Sequence, residues 1–338
     1  MTPLFRPKLF LIGLIALFLA FLFWFLFVPP SRNLTTKVMF FKKGTPLKKI
    51  ASQLEEEGII RSEHLFVAMT QVLGKKGEIK AGEYELNTRM LPLQILGTLV
   101  KGQVKRHLVT IPEGYTLFQI AQLLEDLEIV EKEAFLYAAS SPTFIASLDL
   151  PGFPFRTLEG YLFPNTYHLI REMNSEEVIA MMVHEFKRVF NPDLLSRASQ
   201  LGMSERETVV LASIIEKETS LAEEKPLISA VFHNRLKKKI PLQSDPTVIY
   251  GIRSFNGNLK REDLKRPSPH NTYLFVGLPP TPICNPGQSS LLAALNPAPV
   301  PYLFFVSKND GSHYFSSSLQ EHNRAVSKYQ MKNNLTKK

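Results

Sequence analysis

Apolar and polar positions along this chain follow distinct periods, and the places where the period changes mark its parts. Leu9 to Val28 comes first. It is an apolar run of roughly 20 residues, long enough at about 1.5 Å per residue to cross a hydrocarbon core of about 30 Å. Short strand patterns follow, each leading through a glycine into an amphipathic helix pattern. Val38-Met39-Phe40-Phe41 predicts a strand and Leu47 to Glu57 a helix; Leu108-Val109-Thr110-Ile111 and Leu117 to Leu127 do the same again. Phe66 and Phe135 each begin a further helix, and Gly82-Glu83-Tyr84-Glu85-Leu86 reads as a return strand. The two stretches match in register: Gly44, Leu47, Ile50, Ala51, Leu54 and Ile59 recur as Gly114, Leu117, Ile120, Ala121, Leu124 and Ile129, which marks an internal repeat. Helical periodicity takes over from residue 175, in Glu176 to Val189, Glu205 to Thr219 and Ala222 to Lys239. Beyond Pro241 the chain turns rich in Pro, Gly and Asn, with short strands at Pro301 to Val306 and His313 to Phe315.

The fold class these patterns predict is α+β, in three parts. Residues 1–33 form a cytoplasmic tip and a single N-terminal transmembrane helix. Residues 34–106 form a small α+β domain. Residues 107–338 form a larger α+β catalytic domain, a helical block followed by looped strands, whose first part (107–170) repeats the strand-turn-helix pattern. A cleaved signal peptide would have a shorter apolar core and a small-residue cleavage site, so the anchor is read as uncleaved. Arg6 and Lys8 before the run and Arg32, Lys37, Lys42 and Lys43 after it give the positive-inside rule only a narrow vote for a cytoplasmic N-terminus. Thr45-Pro46-Leu47-Lys48-Lys49-Ile50-Ala51 resembles the Gly-(Asp/Thr)-Thr-Leu-x-x-Ile-Ala core of LysM modules, which bind N-acetylglucosamine polymers; the small domain is therefore expected to be LysM-like.

One helix pattern carries an anomaly. On 205–219, Leu211, Ile214, Ile215 and Glu218 share a stripe at i, i+3, i+4 and i+7, with Glu218 about 20° from the apolar centre and Glu216 facing the other way. An ionised carboxylate is costly to bury, so a glutamate held there keeps its proton more readily than a free one, as a general acid near neutral pH requires. The plain alternative is that Glu218 ends a frayed helix and points into water.

Composition narrows the chemistry. The net charge is +9, of which Arg6, Lys8 and Arg32 supply three. A mildly basic, tethered body suits anionic lipid or an acidic polymer, and no nucleic-acid-binding motif accompanies the charge. The cations Arg235, Lys237, Lys238 and Lys239 read as a solvated helix end. Cys284 is the sole cysteine, so no internal disulfide forms. There is no His-Glu-x-x-His, Gly-x-Ser-x-Gly or phosphate-loop signature, and His233, His270, His313 and His322 lack ligand spacing, so neither metal nor cofactor is expected. What remains is Glu218 with a polar, aromatic and proline-rich region that includes Gln243-Ser244-Asp245-Pro246-Thr247 and His270-Asn271-Thr272-Tyr273. Asn, Gln and Tyr offer directional contacts to sugar hydroxyls and acetamides. Asp245-Pro246-Thr247 reads as a turn or a substrate-orienting contact.

Leu211 to Thr219, Leu242 to Gly251, Asn271-Thr272-Tyr273, Gly277-Leu278-Pro279-Pro280 and Pro286-Gly287, together with Glu159-Gly160-Tyr161-Leu162-Phe163-Pro164, Pro301 to Val306, and His313 with Phe315, resemble the endolytic murein transglycosylases (MltG or YceG-like proteins). The resemblance covers nearly the whole chain, departing only at His270 and Cys284. It implies an inner-membrane enzyme facing the murein layer that cuts peptidoglycan glycan strands internally, with Glu218, second acid of the Glu-Lys-Glu motif, as the catalytic residue. Gln243, Asp245, Asn271 and Tyr273 are the candidate substrate-binding residues. Membrane lipid is the expected partner of the anchor, and peptidoglycan synthases are candidate protein partners. A conventional murein hydrolase using Glu218 with Asp245, and a non-catalytic peptidoglycan-binding anchor, stay open beside it.

Overall fold

The computed structural model describes residues 7–150, 156–252 and 255–331. The chain divides into two compact units, one of Met1–His107 with His168–Glu172, the other of Leu108–Tyr167 with Met173–Lys338.

The first unit opens with helix α1 (Pro7–Phe27), which stops ahead of Pro29-Pro30 because the residue before a proline is steered out of helical geometry. Its side chains from Leu11 onward are apolar on every side, and Leu11, Ile12, Leu17, Phe18 and Phe23 are exposed. Among the described residues no helix is long and apolar enough to cross a membrane, which departs from the spanning segment expected over 9–28. Arg6, and the side chains of Lys8, Leu9 and Phe10 at the start of that run, lie outside the described residues. Strand β1 (Thr36–Phe41) is followed by α2 (Leu47–Glu56) and α3 (Glu63–Val72). Strand β2 (Gly82–Asn87) returns antiparallel to β1, from Thr36↔Asn87 to Phe41↔Gly82, and α4 (Pro92–Lys101) closes the unit. Alternation along β1 turns Met39 and Phe41 inward, onto Leu47, Ile50, Ala51 and Leu54 of α2, Phe66 of α3 and Leu96 and Leu99 of α4. Helix α3 starts earlier than expected, because Ser62 caps it by accepting from Leu65 N.

The second unit takes β3 (His107–Thr110) from Leu108 on, then α5 (Leu117–Asp126), α6 (Lys132–Ala138) and α7 (Pro142–Ser147), and the start of β4 (Thr166–Leu169) to Tyr167; β3 and β4 pair. The repeated positions take equivalent places in both units. Gly44 and Gly114 make the strand-to-helix turn at φ +83° and +75°, in the left-handed region where a side chain is disfavoured. Leu47/Leu117, Ile50/Ile120, Ala51/Ala121, Leu54/Leu124, Ile59/Ile129 and Phe66/Phe135 are all at most 8% exposed.

The helical block follows: α8 (Ser175–Val189), α9 (Pro192–Gln200), α10 (Glu205–Glu218) and α11 (Lys225–Lys237). Helix α10 is its axis, buried at every position from Thr208 to Ile215 and packed against α9, α11 and the later α13 (Gln288–Leu295). Ser204 and Glu207 form its capping box: Glu207 N donates to Ser204 Oγ at 3.2 Å and Ser204 N to Glu207 Oε2 at 2.8 Å. Helix α11 begins at Lys225 rather than Ala222, with Pro226 in its first turn where the missing N–H costs nothing.

Among the described residues the region beyond Pro241, expected as loops and strands, also holds three α-helices: α12 (Asp245–Tyr250), α13 (Gln288–Leu295) and α14 (Leu319–Val326). Asp245-Pro246-Thr247 is therefore the first turn of a helix, not a free turn, since proline is tolerated at early helical positions. Strands β5 (Phe304–Ser307) and β6 (His313–Ser316) form an antiparallel hairpin.

Candidate active site

The last turn of α10 carries two glutamates in opposite surroundings. Glu216 faces the start of α11 and α13. Lys225 Nζ lies 3.2 Å from both its oxygens, Gly287 N donates to Oε2 at 3.0 Å and Ser290 Oγ at 2.6 Å. Both side chains of the ion pair are nearly inaccessible, and Lys225 also donates to Ser289 Oγ at 2.8 Å. Glu216 thus has a counter-ion and a full set of donors, as a buried carboxylate needs.

Glu218 is the final residue of α10; Thr219 leaves the helix in extended geometry at φ −148°, ψ 142°. The residue keeps some accessible surface, but its carboxyl group sits where burial raises the pKa to about 7. Ser244 Oγ donates to Oε1 at 2.5 Å and lowers it, Asp245 raises it and Arg235 lowers it, each less than burial. Thr219 is pinned from behind. Its hydroxyl accepts from Leu221 N at 3.1 Å and donates to Glu224 Oε2 at 3.4 Å. Glu224 in turn accepts from His313 N at 2.8 Å and pairs with His313 Nδ1 at 2.6 Å. A chain of contacts from the β5–β6 hairpin therefore fixes the backbone next to Glu218.

Of the residues singled out from sequence, Asp245 and Tyr273 are brought together beside Glu218. Tyr273 donates its hydroxyl to Asp245 Oδ1 at 2.6 Å, and burial first, then Asp245, pushes the phenol pKa up. Gln243 sits at φ +52° with its N–H on Thr272 O and its Oε1 accepting from Arg235 Nη1 at 3.3 Å. Asn271 is set apart. It is buried, its Nδ2 donates to Leu264 O and Arg266 O, and its Oδ1 accepts from Tyr273 N, so the amide braces the 264–273 loop.

Two residues not singled out from the sequence as site residues also act on Glu218. Ser244 touches it directly, and nothing in its spacing marked it. Arg235, taken with the lysines as a solvated helix end, is buried. Nη1 donates to Pro241 O and Leu242 O at 3.1 and 2.8 Å, and Nε to Leu303 O at 2.7 Å. The signal was present: Ile228, Val231, Phe232 and Arg235 form the same i, i+3, i+4, i+7 stripe that exposed Glu218. Lys237, Lys238 and Lys239 are exposed.

Glu159 is another buried acid. It accepts from Leu117 N at 3.0 Å, Asn285 Nδ2 at 3.1 Å and Tyr250 OH at 3.2 Å, joining α5, α12 and the 285 loop, and burial raises its pKa to about 7. A cavity of about 810 Å³ lined by Arg156, Tyr250, His270 and Pro282 opens there, and another of about 730 Å³ runs along Arg206, Asn234 and Pro279; Glu218 lines neither. His270 bonds Thr281 Oγ1 through Nε2 at 2.8 Å, and Cys284 is buried with its thiol on Ser213 O. Among the described residues no group of three His, Cys, Asp or Glu is arranged to hold a metal ion.

The chain is thus an α+β protein with a desolvated glutamate at the end of a buried helix, held by loops on both sides. The chain belongs to the YceG-like family, whose sequence profile matches residues 39–328. It is 35% identical over 309 residues to a protein named endolytic murein transglycosylase from Bacillus subtilis (strain 168), covering 87% of this chain and 85% of that one. It is 30% identical over 317 residues to a protein of the same name from Streptococcus pneumoniae serotype 2 (strain D39 / NCTC 7466), covering 85% of this chain but 57% of the longer relative. A crystal structure of a yceG-like protein from Listeria monocytogenes superimposes with a TM-score of 0.60 at 32% identity, over 86% of this chain and 99% of that one. None of these matches bears on the LysM-like reading of residues 34–106, which rests on its short motif alone.

Proposed function

We propose that this protein is a lytic transglycosylase that cleaves the bond between N-acetylmuramic acid and N-acetylglucosamine inside peptidoglycan strands, using Glu218 as both acid and base. The general class, an endolytic murein transglycosylase acting on peptidoglycan, is supported by the names of its relatives at 30–35% identity. The observation that carries the mechanism is the environment of Glu218: the Ser244 hydroxyl 2.5 Å from its carboxyl group, burial that raises its pKa to about 7, and, among the described residues, no cation as close as the one that compensates Glu216.

Protonated Glu218 donates to the glycosidic oxygen as the C1–O4 bond breaks. The carboxylate left behind takes the proton from the C6 hydroxyl of the same muramic acid, whose oxygen bonds to C1. The product ends in a 1,6-anhydro sugar, and no water is consumed. An ordinary glycosidase needs a second carboxylate as nucleophile or to activate water; here the substrate's own hydroxyl takes that part, with the advantage of intramolecular attack. Tyr273, Asp245 and Gln243 are the residues assigned to the sugar's polar groups. The apolar run from Leu9 to Val28 is assigned as a membrane anchor, with the rest of the chain on the extracytoplasmic side and the cut helping to set glycan strand length; the exposed side chains of Leu11, Ile12, Leu17, Phe18, Phe23 and Phe27 support this.

The test compares full-length wild-type protein with Glu218→Gln on purified peptidoglycan, scoring fragments by mass. Anhydro ends, lighter by one water than hydrolytic ends, should appear with the wild type and vanish with the variant. Reducing ends in place of anhydro ends would move the reading to a hydrolase using Glu218 with Asp245. Equal anhydro yield from the variant would take the chemistry away from Glu218.

A further inference from the structure

Ser244 has no part in the mechanism above, yet its surroundings are built with care. Its side chain is buried, with the hydroxyl 2.5 Å from Glu218 Oε1. Its backbone is held on both sides: Ser244 N donates to Thr272 Oγ1 at 3.0 Å, and Ser244 O accepts from Thr247 Oγ1 at 2.6 Å. The two threonine hydroxyls are 2.9 Å apart, which closes the ring. The next residue, Asp245, opens α12 and is anchored by the Tyr273 hydroxyl. Adjacent residues on one rigid turn thus present a hydrogen-bond donor and a negative charge to the same carboxyl group. The other charged or titratable groups facing Glu218 are Arg235, from α11, and Tyr273, from the 271–273 loop. Arg235 is held by three backbone carbonyls, and the raised Tyr273 phenol stays neutral through the working pH range.

We propose that Ser244 and Asp245 are an opposed pair of positioning residues for Glu218: Ser244 occupies Oε1 so that the transferable proton rides on Oε2, and Asp245 holds that proton in place by its charge until the glycosidic oxygen takes it. The inference rests on the function proposed for Glu218. When Oε2 gives up its proton, the Ser244 hydrogen bond remains and stabilises the new carboxylate, and the same Oε2 then accepts the C6 hydroxyl proton. A donor to the ionised form makes the acid stronger, and a neighbouring negative charge makes it weaker; the directions at Glu218 are lowering by Ser244 and raising by Asp245. Two adjacent substitutions should therefore push one titration in opposite senses, a pattern that general damage to the fold does not produce.

The experiment measures kcat and kcat/KM against pH for full-length wild type, Ser244→Ala and Asp245→Asn on soluble glycan strands, with anhydro ends as product. Carbon-13 NMR titration of the Glu218 carboxyl accompanies it. Ser244→Ala should move the basic limb of kcat, where the acid loses its proton, upward by roughly one pH unit, and Asp245→Asn should move it downward by a similar amount. Ser244→Ala should lower kcat more than it raises KM, whereas Asp245→Asn, at a residue also assigned to the sugar, should change both. Ser244→Cys, a weaker donor, should fall between wild type and alanine. Limbs that stay in place, or that move the same way, overturn the proposal. Should Ser244→Ala fail to fold, the NMR titrations of Ser244→Cys and Asp245→Asn decide the matter. Loss of activity in Glu218→Gln with unmoved limbs removes only the pair, whereas an active Glu218→Gln removes the function as well.

Discussion

The two sides of the last turn of α10 hold the same amino acid two residues apart, and they have been finished in opposite ways. Toward α11 and α13, Glu216 meets a lysine, a backbone N–H and a serine hydroxyl. Toward α12, Glu218 meets one hydroxyl and a like-charged neighbour. The first arrangement neutralises a charge and ties three helices together. The second leaves a carboxyl group desolvated and short of partners, which favours the neutral acid. The contrast teaches that a glutamate's part in a protein is set by how many donors surround it, even within one helical turn.

The sharpest way to break this contrast is to exchange each acid for its amide. Glu218→Gln should lower glycan cleavage by about 10²–10⁴-fold, the usual worth of a positioned acid–base group, with stability unchanged at low pH and no lower above it, since the raised carboxyl pKa no longer opposes folding there. A large loss of stability would mean that Glu218 too is a structural residue. On the other side, Lys225→Met leaves Glu216 buried without its cation. The expected cost is about 3–5 kcal/mol in urea unfolding, with activity per folded molecule retained. Adding Glu216→Leu to Lys225→Met should recover much of the loss; failure to do so would argue against the ion-pair account.

Smaller effects sharpen the picture. Glu159 has a raised pKa like Glu218 but three kinds of donor like Glu216. Between the unfolded value of 4.5 and the folded value of about 7, the folded state binds a proton that the unfolded state has released, so stability falls as pH climbs through that window. Glu159→Gln removes one such group. It should flatten the fall by on the order of 1–3 kcal/mol, with Tyr250 turning its hydroxyl to accept from the new amide. Glu205 and Glu218, also raised to about 7, should leave a residual slope of the same sign. Thermal melts from pH 5 to 8 would show both. The smallest effect separates Arg235 from its neighbours. Arg235→Lys breaks a fork that lysine cannot reproduce and should cost about 1–2 kcal/mol, while Lys238→Ala should stay within about 0.5 kcal/mol.

Much of this is legible in the sequence, and what is not was hidden for separate physical reasons. The repeat was legible because two helices with one buried face each print their period on the sequence, from Leu47 to Leu54 and from Leu117 to Leu124. Glu218 was legible by the same rule, as a polar residue standing in an apolar stripe. Arg235 obeyed that rule too, but three following lysines disguised it as part of a charged tail. Helices α12 and α13 were lost among prolines and glycines, whose usual meaning is a loop; Pro246 in a first turn and Gly287 before one are the exceptions. Ser244 had no periodicity to betray it, because its role comes from a contact 26 residues away in sequence. Asn271 looked like a sugar contact and serves its own loop instead, a distinction that depends on where its amide points.

The abrupt ending of α10 at Glu218 has one more consequence. Peptide dipoles aligned along a helix leave their negative pole in its final turn, where an added negative charge is opposed by about 0.3–1 kcal/mol. Glu218 occupies that pole, so the rod that aims its side chain also resists its ionisation. Extending the helix past Thr219 would carry the pole away from the acid and weaken that resistance without altering any side chain in contact with it.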